Sequence, residues 1–390
     1  MVKLKAVAGV LAATAWIALA IVASGATPAL ASTLVVAPAG DTSCGQHTPY
    51  HTIQSAVNAA APGAHIYVCP ALYQEHVVIS GPGKNNLNLE GASTNNTFIQ
   101  FPVTPSSPDA IVLVDGATNV EVHRFTIEGP WNDANAAGCA QPTHYGVFVQ
   151  GGGSARIDNN HITLIQDADQ LLGGCQDGLA VRIGSQFLSQ MGSGTVENNL
   201  IDNYQKNGVT IDGSGTTALV QNNTIIGDSV DPNGINPIIA RNGVQFGRGA
   251  TGQVQNNHIS NNEYGGGGPP PAAEDPDDND GTGILAFELT DGLRINNNVL
   301  VRNDIGLDFF TATQLLISNN IATNNRFNGF RAEADTSQNT LNNNQASGTP
   351  PASGHDCRDD SVDGGTAGTA NTWTNDQGQT SQPPGICKPR

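Results

Sequence analysis

Asparagine pairs recur along this chain with a regularity that simple connecting loops do not have. Asn159-Asn160 precedes Ile162, Asn198-Asn199 precedes Ile201, and Asn222-Asn223 precedes Ile225. Asn256-Asn257, Asn297-Asn298 and Asn319-Asn320 continue the series before Ile259, Leu300 and Ile321, and Asn342-Asn343 closes it. A second element alternates with the first: a glycine followed by an apolar-x-apolar triplet. Examples are Gly146 (Val147, Val149), Gly178 (Leu179, Val181), Gly208 (Val209, Ile211) and Gly243 (Val244, Phe246); Gly283, Gly306 and Gly329 begin similar runs. Glycine and the next asparagine pair are 13 or 14 residues apart in six of seven cases, and tight units repeat after 22 to 24 residues.

That period restricts the fold. Alternating apolar residues over four or five positions read as half-buried strands, and no unit has room for a long helix. A unit of this length fits one coil of three short strands and three turns. One coil cannot bury its own inner face, so coils must stack, each strand pairing with its equivalent at about 4.8 Å. Asparagine suits the turns because it tolerates left-handed backbone angles and bonds locally. Equivalent asparagines can also bond from coil to coil as an internal ladder. The expectation is an all-β, single-stranded, right-handed parallel β-helix of about nine or ten coils, a rod of roughly 45 Å.

The ends of the repeat need covers. Ile53, Ala56, Val57 and Ala60 follow helical spacing up to Pro62-Gly63 and predict an N-terminal capping helix. Strands over His65–Cys69 and Glu75–Ile79 would begin the first coil. From Ala346 the repeat fades, which predicts a capping tail. Residues 1–31 read as a signal peptide: Lys3 and Lys5, an apolar run from Ala6 to Ala23, and Ala29-Leu30-Ala31 before Ser32. The expected organisation is therefore 1–31 signal peptide, 32–345 β-helix with its cap, and 346–390 tail.

Such a chain would be secreted and carry disulfides. Its six cysteines leave the connectivity open in principle; the expected pairs are Cys44–Cys69, Cys139–Cys175 and Cys357–Cys387. The full chain has 16 basic and 34 acidic residues, so the part after the signal peptide carries about −20. This balance excludes nucleic acid and anionic membrane surfaces as partners, because both need a basic footprint. Anionic polysaccharides would need a bridging cation, and Ca2+ is the one cofactor the composition suggests. The oligomeric state is not legible.

At this point the chain resembles the right-handed β-helix superfamily of pectate lyases, polysaccharide hydrolases and uronan epimerases. The stretch Thr52 to Ile79, with its Ile-Gln-x-Ala-Val helix and Tyr73-Gln74-Glu75, is similar to that family's usual entry. The resemblance implies fold and an extracellular polysaccharide partner; it implies no single chemistry, since the fold hosts many. Asp-Pro-His-Glu, Asn-Thr-Asp, Gly-His-Gly and Arg-Ile-Lys segments of known members are absent.

Insertions single out one side of the rod. Short coils use 9 or 10 residues between an asparagine pair and the next glycine, whereas Asn159 to Gly178 takes 19, Asn222 to Gly243 takes 21 and Asn256 to Gly283 takes 27. A fourth insertion spans Trp131 to His144. All share one phase, so they should form a wall along one edge, and loops on a rigid scaffold commonly carry binding or catalysis. The strand begun by each glycine lies beside that wall. Its fourth positions read Gln150, Arg182, Asp212, Gly247, Phe287, Phe310 and Glu333; its second positions read Phe148, Ala180, Thr210, Gln245, Leu285, Asp308 and Arg331.

Arg182 and Asp212 are expected neighbours on adjacent coils, with Asp177 and Lys206 at the loop junctions. A base beside carboxylates suits a polysaccharide lyase, which removes the proton α to a uronate carboxyl. Arg182, Lys206, Asp177 and Asp212 are the catalytic candidates. A hydrolase would instead use Asp177 and Asp212 as paired carboxyls. His144, Phe148, Gln150, Thr210 and Gln245 are the candidate substrate contacts, and Phe287 with Phe310 could offer a sugar-stacking platform. Each group also has a structural reading: a surface ion pair for Arg182–Asp212, core packing for the phenylalanines. The acidic run Glu274 to Asp280 could bind calcium but lacks a calcium-loop pattern, Pro276 standing where the first ligand is needed. The leading expectation is a secreted protein that binds, and in its enzymatic form cleaves, an extracellular polysaccharide, lyase chemistry being preferred over hydrolysis. The alternative is a non-catalytic extracellular structural or adhesive module.

Overall fold

The computed structural model describes residues 33–41, 44, 50–102, 110–131, 143–168, 175–227, 240–264, 280–290 and 292–389. The expected signal peptide and Cys139 lie outside the described residues. The described chain winds through three parallel sheets in strict rotation. The first sheet has twelve strands, from Thr33–Val36 to Thr372–Thr374; the second has ten, from Ala71–Gln74 to Gln345–Ser347; the third has eleven, from Val77–Ser80 to Ser381–Gln382. Ten complete three-strand coils result, so the chain is a parallel β-helix.

Pairing register explains why the repeat is so regular. On the third sheet Val112, Val147, Val181, Val209, Val244, Ile284, Leu307 and Phe330 stack in one line. On the second, Ile99, Ile127, Ile162, Ile201, Ile225, Ile259 and Leu300 do the same. All are fully buried. Each removes about 1.5–3 kcal/mol worth of apolar surface from water only if its neighbours above and below are also in line.

The asparagine pair divides its work between its two members. The first adopts the left-handed region, with φ of 54° at Asn159, 56° at Asn198 and 58° at Asn297, which turns the chain from the first sheet into the second. The second is buried and forms the ladder. The Asn298 backbone N–H and Nδ2 both donate to Asn320 Oδ1 at 3.0 Å, while Asn298 Oδ1 accepts from the N–H and Nδ2 of Asn257 at 3.0 Å. The line runs through Asn160, Asn199, Asn223, Asn257, Asn298, Asn320 and Asn344 and ends on Asp376. A shorter ladder, Asn262–Asn303–Asn325, holds the next corner. The glycines mark the entry to the third sheet: a Cβ at Gly208 would lie 2.6 Å from Gly243 O and 2.7 Å from an Ile225 methyl.

The N-terminal cap is the helix Ile53–Ala59, which buries Ile53, Ala56 and Val57. Thr52 caps it, and the two Glu75 carboxylate oxygens accept from the N–H groups of Ile53 and Gln54 at 2.8 and 2.9 Å. Gln54 covers the open edge of the third sheet, accepting from Val78 N and donating to Val78 O. Past residue 346 the chain continues the winding through His355–Asp359, Thr372–Thr374 and Ser381–Gln382. Cys44–Cys69 and Cys357–Cys387 form disulfides with Cα separations of 6.1 and 6.2 Å. Cys175 is also disulfide-bonded.

Asn298→Ala strands the Asn257 donors inside the ladder and is expected to cost about 2–4 kcal/mol. Asn297→Gly keeps the left-handed turn and is expected to stay within about 1 kcal/mol of the parent. Equilibrium urea unfolding of the two variants compares these costs directly.

Candidate functional site

All four long connections join a second-sheet strand to the next third-sheet strand, at residues 129–144, 164–178, 227–241 and 261–281. They therefore meet the third sheet along the same edge, and its outer face is where candidate residues gather. Two outward rows cross that face. One runs Leu113, Phe148, Arg182, Thr210, Gln245, Leu285, Asp308, Arg331 and Arg358. The other includes Asp212, Gly247, Phe287 and Phe310, and continues to Glu333, whose N–H donates to Phe309 O.

Arg182 is displaced from its expected row. Leu179 pairs with Tyr145 and Asn207, so Ala180, not Gly178, is the equivalent of Gly208, and Arg182 aligns with Phe148 and Thr210. Gly178 belongs to the preceding loop. A shift of two residues preserves the side of the strand, so Arg182 still points outward and reaches diagonally to Asp212. Its Nη2 donates to Asp212 Oδ2 at 2.7 Å and to Ser185 Oγ at 2.8 Å, and its Nε donates to Gly184 O at 3.0 Å. Arg248 Nη1 donates to the other oxygen of Asp212 at 2.8 Å. Asp212 is fully buried and Arg182 nearly so. This arrangement is a closed clamp of two guanidiniums on one carboxylate, not an exposed pair.

The remaining catalytic candidates do not join that clamp. Lys206 is half-buried and its Nζ donates to Ala240 O at 2.6 Å; burial pulls its ammonium down to about 8. Asp177 sits deep against His144, with Oδ2 at 2.9 Å from Nδ1 and Oδ1 accepting from the His144 N–H at 2.5 Å. The His144 ring stacks on Trp131 at 4.4 Å and meets Phe101 edge-on at 5.8 Å. This buried group ties the loop junctions of two coils together.

Three of the five expected substrate contacts are covered. His144 is fully buried, Phe148 packs with Ala110, Tyr145 and Leu179 in a separate apolar cluster, and Thr210 is buried, its hydroxyl accepting from Asn207 Nδ2. The row closer to the loops, from Tyr145 through Leu179 to Asn207, overlies them. Gln150 and Gln245 are half-buried; Gln245 Oε1 accepts from both Asn207 and Asn242.

Further along the same face a second group stands out. The Phe287 and Phe310 rings stack at 5.3 Å, and Phe287 lies over Gly247, which leaves it room. The Arg248 guanidinium is sandwiched between Phe287 at 4.9 Å and the exposed ring of Phe187 at 4.5 Å. Next to Phe310 lie Asp308 and Arg331. The Arg331 guanidinium has Glu333 at 3.5 Å and Asp308 and Asp360 at 3.9 Å. Asp308 is 5% exposed; its carboxylate accepts a backbone hydrogen bond from Phe309, and among the described residues its Oδ1 has no partner. Burial raises the Asp308 carboxyl to about 6 despite Arg331, with Asp280 adding to the rise. Asp280 itself is pushed to about 7 by burial and by Asp304. Asp304 accepts from the N–H groups of Tyr264 and Gly281 and from Arg326. Asp308, Arg331 and Glu333 were legible as outward positions; what marks them as a group is their burial and crowding, which no local pattern reports. Of the acidic run Glu274 to Asp280, only Asp280 is described.

Among the described residues one cluster has metal-ligand spacing: Glu121, His123 and Asp158, with ligand atoms within 4.8 Å of one another on the first sheet. Arg156 already pairs with Glu121 and Asp158 there, and with Glu197. Also among the described residues, no helix is long and apolar enough to cross a membrane.

Residues 75–352 match the family model of the right-handed beta helix region, and the chain belongs to that family. No curated protein matches it in sequence. Its fold is similar to that of XylC in complex with xylose, with a TM-score of 0.56 and 11% identity over 88% of this chain and 70% of that one. It is also similar to the GH136 lacto-N-biosidase from Eubacterium ramulus, with a TM-score of 0.55 and 10% identity over 88% and 67%. The Dettilon tailspike protein gives a TM-score of 0.54 and 14% identity over 89% of this chain and 61% of that one. At such identities the likeness is one of fold.

Asp212→Asn removes the buried charge that Arg182 and the half-buried Arg248 share and is expected to destabilise the fold by about 3–5 kcal/mol, measured by chemical denaturation. Lys206 behaves in the opposite sense. Its folded pKa lies below its unfolded value, so its charge destabilises the fold below pH 8, and the penalty fades as pH rises toward 10. Lys206→Met is therefore expected to raise Tm at pH 7 more than at pH 10, as differential scanning calorimetry at both pH values would show.

Proposed function

We propose that this protein is carbohydrate-active and binds an extended polysaccharide along the outer face of the third sheet. One observation carries the reading: the strip Phe187–Arg248–Phe287–Phe310 runs along the rod axis, across coils, on the half of the outer face toward the C-terminal ends of the third-sheet strands. Aromatic faces offer apolar area to the carbon-bound face of a sugar ring, while the guanidinium and the flanking carboxylates offer hydrogen bonds to its hydroxyls. Stacked coils repeat these groups at the strand spacing, which matches a linear chain better than a single small molecule. The solved structures of similar fold include one with bound xylose and one lacto-N-biosidase; they supply a carbohydrate precedent for the scaffold. An extracellular setting fits the disulfides Cys44–Cys69 and Cys357–Cys387.

Lyase chemistry has less support on this face. Arg182 has its guanidinium committed to Asp212, Ser185 and Gly184, so it is a positioning element. Lys206 is the side chain whose basicity suits proton abstraction near neutral pH, and its nitrogen faces Ala240 O. A rod with an inert face, the structural-module alternative, would not need aromatic rings and buried charges to converge at one side.

A glycan array probed with the purified protein, with and without calcium, tests the binding reading. Phe310→Ala is expected to weaken binding of any captured glycan about tenfold while leaving Tm within a few degrees. Absence of binding to every glycan, or binding untouched by Phe310→Ala and Phe187→Ala, would remove the assignment.

A further inference from the structure

The two buried charge groups on the third sheet are built on opposite plans. At Asp212 one carboxylate has two guanidiniums, and both its oxygens accept hydrogen bonds of 2.7–3.0 Å. Around Arg331 three carboxylates, Asp308, Glu333 and Asp360, share one guanidinium at 3.5–3.9 Å, beyond good hydrogen-bond distance. Asp360 has a second partner in Arg358 at 2.9 Å. Asp308 is 5% exposed; the Phe309 N–H donates to its carboxylate, but among the described residues its Oδ1 has no partner. A buried carboxylate oxygen without a donor is costly as an anion and inexpensive as a protonated acid. Glu333, beside the same guanidinium, is more open, its side chain 20% exposed.

We propose that Asp308 and Glu333, on either side of Arg331, form a hydrolytic centre that cleaves a glycosidic bond of the polysaccharide whose sugar ring stacks on Phe310. The proposal rests on the glycan-binding reading above and deepens it. Asp308 and Phe310 lie two residues apart on one strand and face the same way. Arg331 and Glu333 occupy the matching positions one coil on. A sugar held on the Phe310 ring thus has an acid at the floor of the site and a carboxylate at its open side.

The chemistry balances with water as the only co-reactant. The Asp308 carboxyl gives its proton to the glycosidic oxygen. The bond from the anomeric carbon to that oxygen breaks, and its electron pair stays with the leaving sugar as a hydroxyl. Water adds to the anomeric carbon, and Glu333 accepts its proton. One glycosidic bond and one water become two hydroxyl-bearing ends, and solvent returns the proton from Glu333 to Asp308. The Arg331 guanidinium lies 3.5 Å from Glu333, on the side where the base of this division of roles is needed. The Asp308 carboxyl titrates near 6, so activity should fall as pH rises above that value.

The test measures binding and cleavage separately. A panel of neutral and acidic polysaccharides is incubated with the protein, bound glycans are identified by affinity electrophoresis, and new reducing ends are counted. The expected result is release from a bound glycan, reduced about 100-fold or more in both Asp308→Asn and Glu333→Gln, with binding retained within twofold. Glu333→Gln, at the open side, guards against misfolding of the buried variant. Binding without new reducing ends would overturn the hydrolytic centre and leave the glycan-binding reading standing. Release that survives both substitutions would move the chemistry elsewhere and overturn it too. No bound polysaccharide would overturn both.

Discussion

Everything in this fold follows from the requirement that each coil lie in register on the one before it. A parallel strand can hydrogen-bond to its equivalents above and below only if successive coils have the same perimeter. The stacked lines of Val, Ile and Leu inside the rod enforce that match, and the asparagine ladder enforces it at the corner. Each ladder amide donates to the next coil and accepts from the previous one, so the buried polar groups of a turn are satisfied by its own repeat. A coil with extra residues must expel them away from the long ladder that joins the first and second sheets. In this chain the long connections leave between the second and third sheets, where the shorter Asn262–Asn303–Asn325 ladder still ties neighbouring coils.

Charge is handled differently on the different faces. The first sheet carries an exposed ladder in which Arg156 spans Glu121, Asp158 and Glu197. Such pairs are solvated and contribute little. On the third sheet Asp212, Arg182, Asp177 and His144 are buried, so the same residue types acquire consequence. Asp212 depends on its two arginines, and the pair Asp177–His144 depends on the aromatic rings of Trp131 and Phe101.

The repeat made the architecture legible because its signal is periodic and local. Alternating apolar residues set which side faces in, and equal spacing set what lies above what. The side of each strand residue was recoverable even where the row was not: at Arg182 an alanine replaces the corner glycine, and the two-residue shift left the side chain outward. What covers the outer face was not recoverable. Phe148, Thr210 and His144 lie buried because neighbouring coils and loop junctions overlie them, and nothing within a single 22-residue unit encodes that. The crowding around Arg331 is hidden in the sequence for the same reason: Asp280, Asp308, Glu333 and Asp360 come from four separate stretches that meet only after winding.

That crowding is better explained by function than by stability. A scaffold in need of a structural ion pair can build the arrangement seen at Asp212, where positive charge is in excess and every oxygen is bonded. Around Arg331 negative charge is in excess, the contacts are long, and burial drives Asp308 and Asp280 toward protonation. In a chain with a net charge of −18, adding like charges to a buried site works against folding. Replacing Asp308 by a neutral side chain of the same shape would remove that repulsion, so its presence is a cost to the fold. A buried carboxyl driven toward the neutral form beside a more exposed one, next to an aromatic ring, is the kind of pairing that acid–base chemistry on a sugar uses.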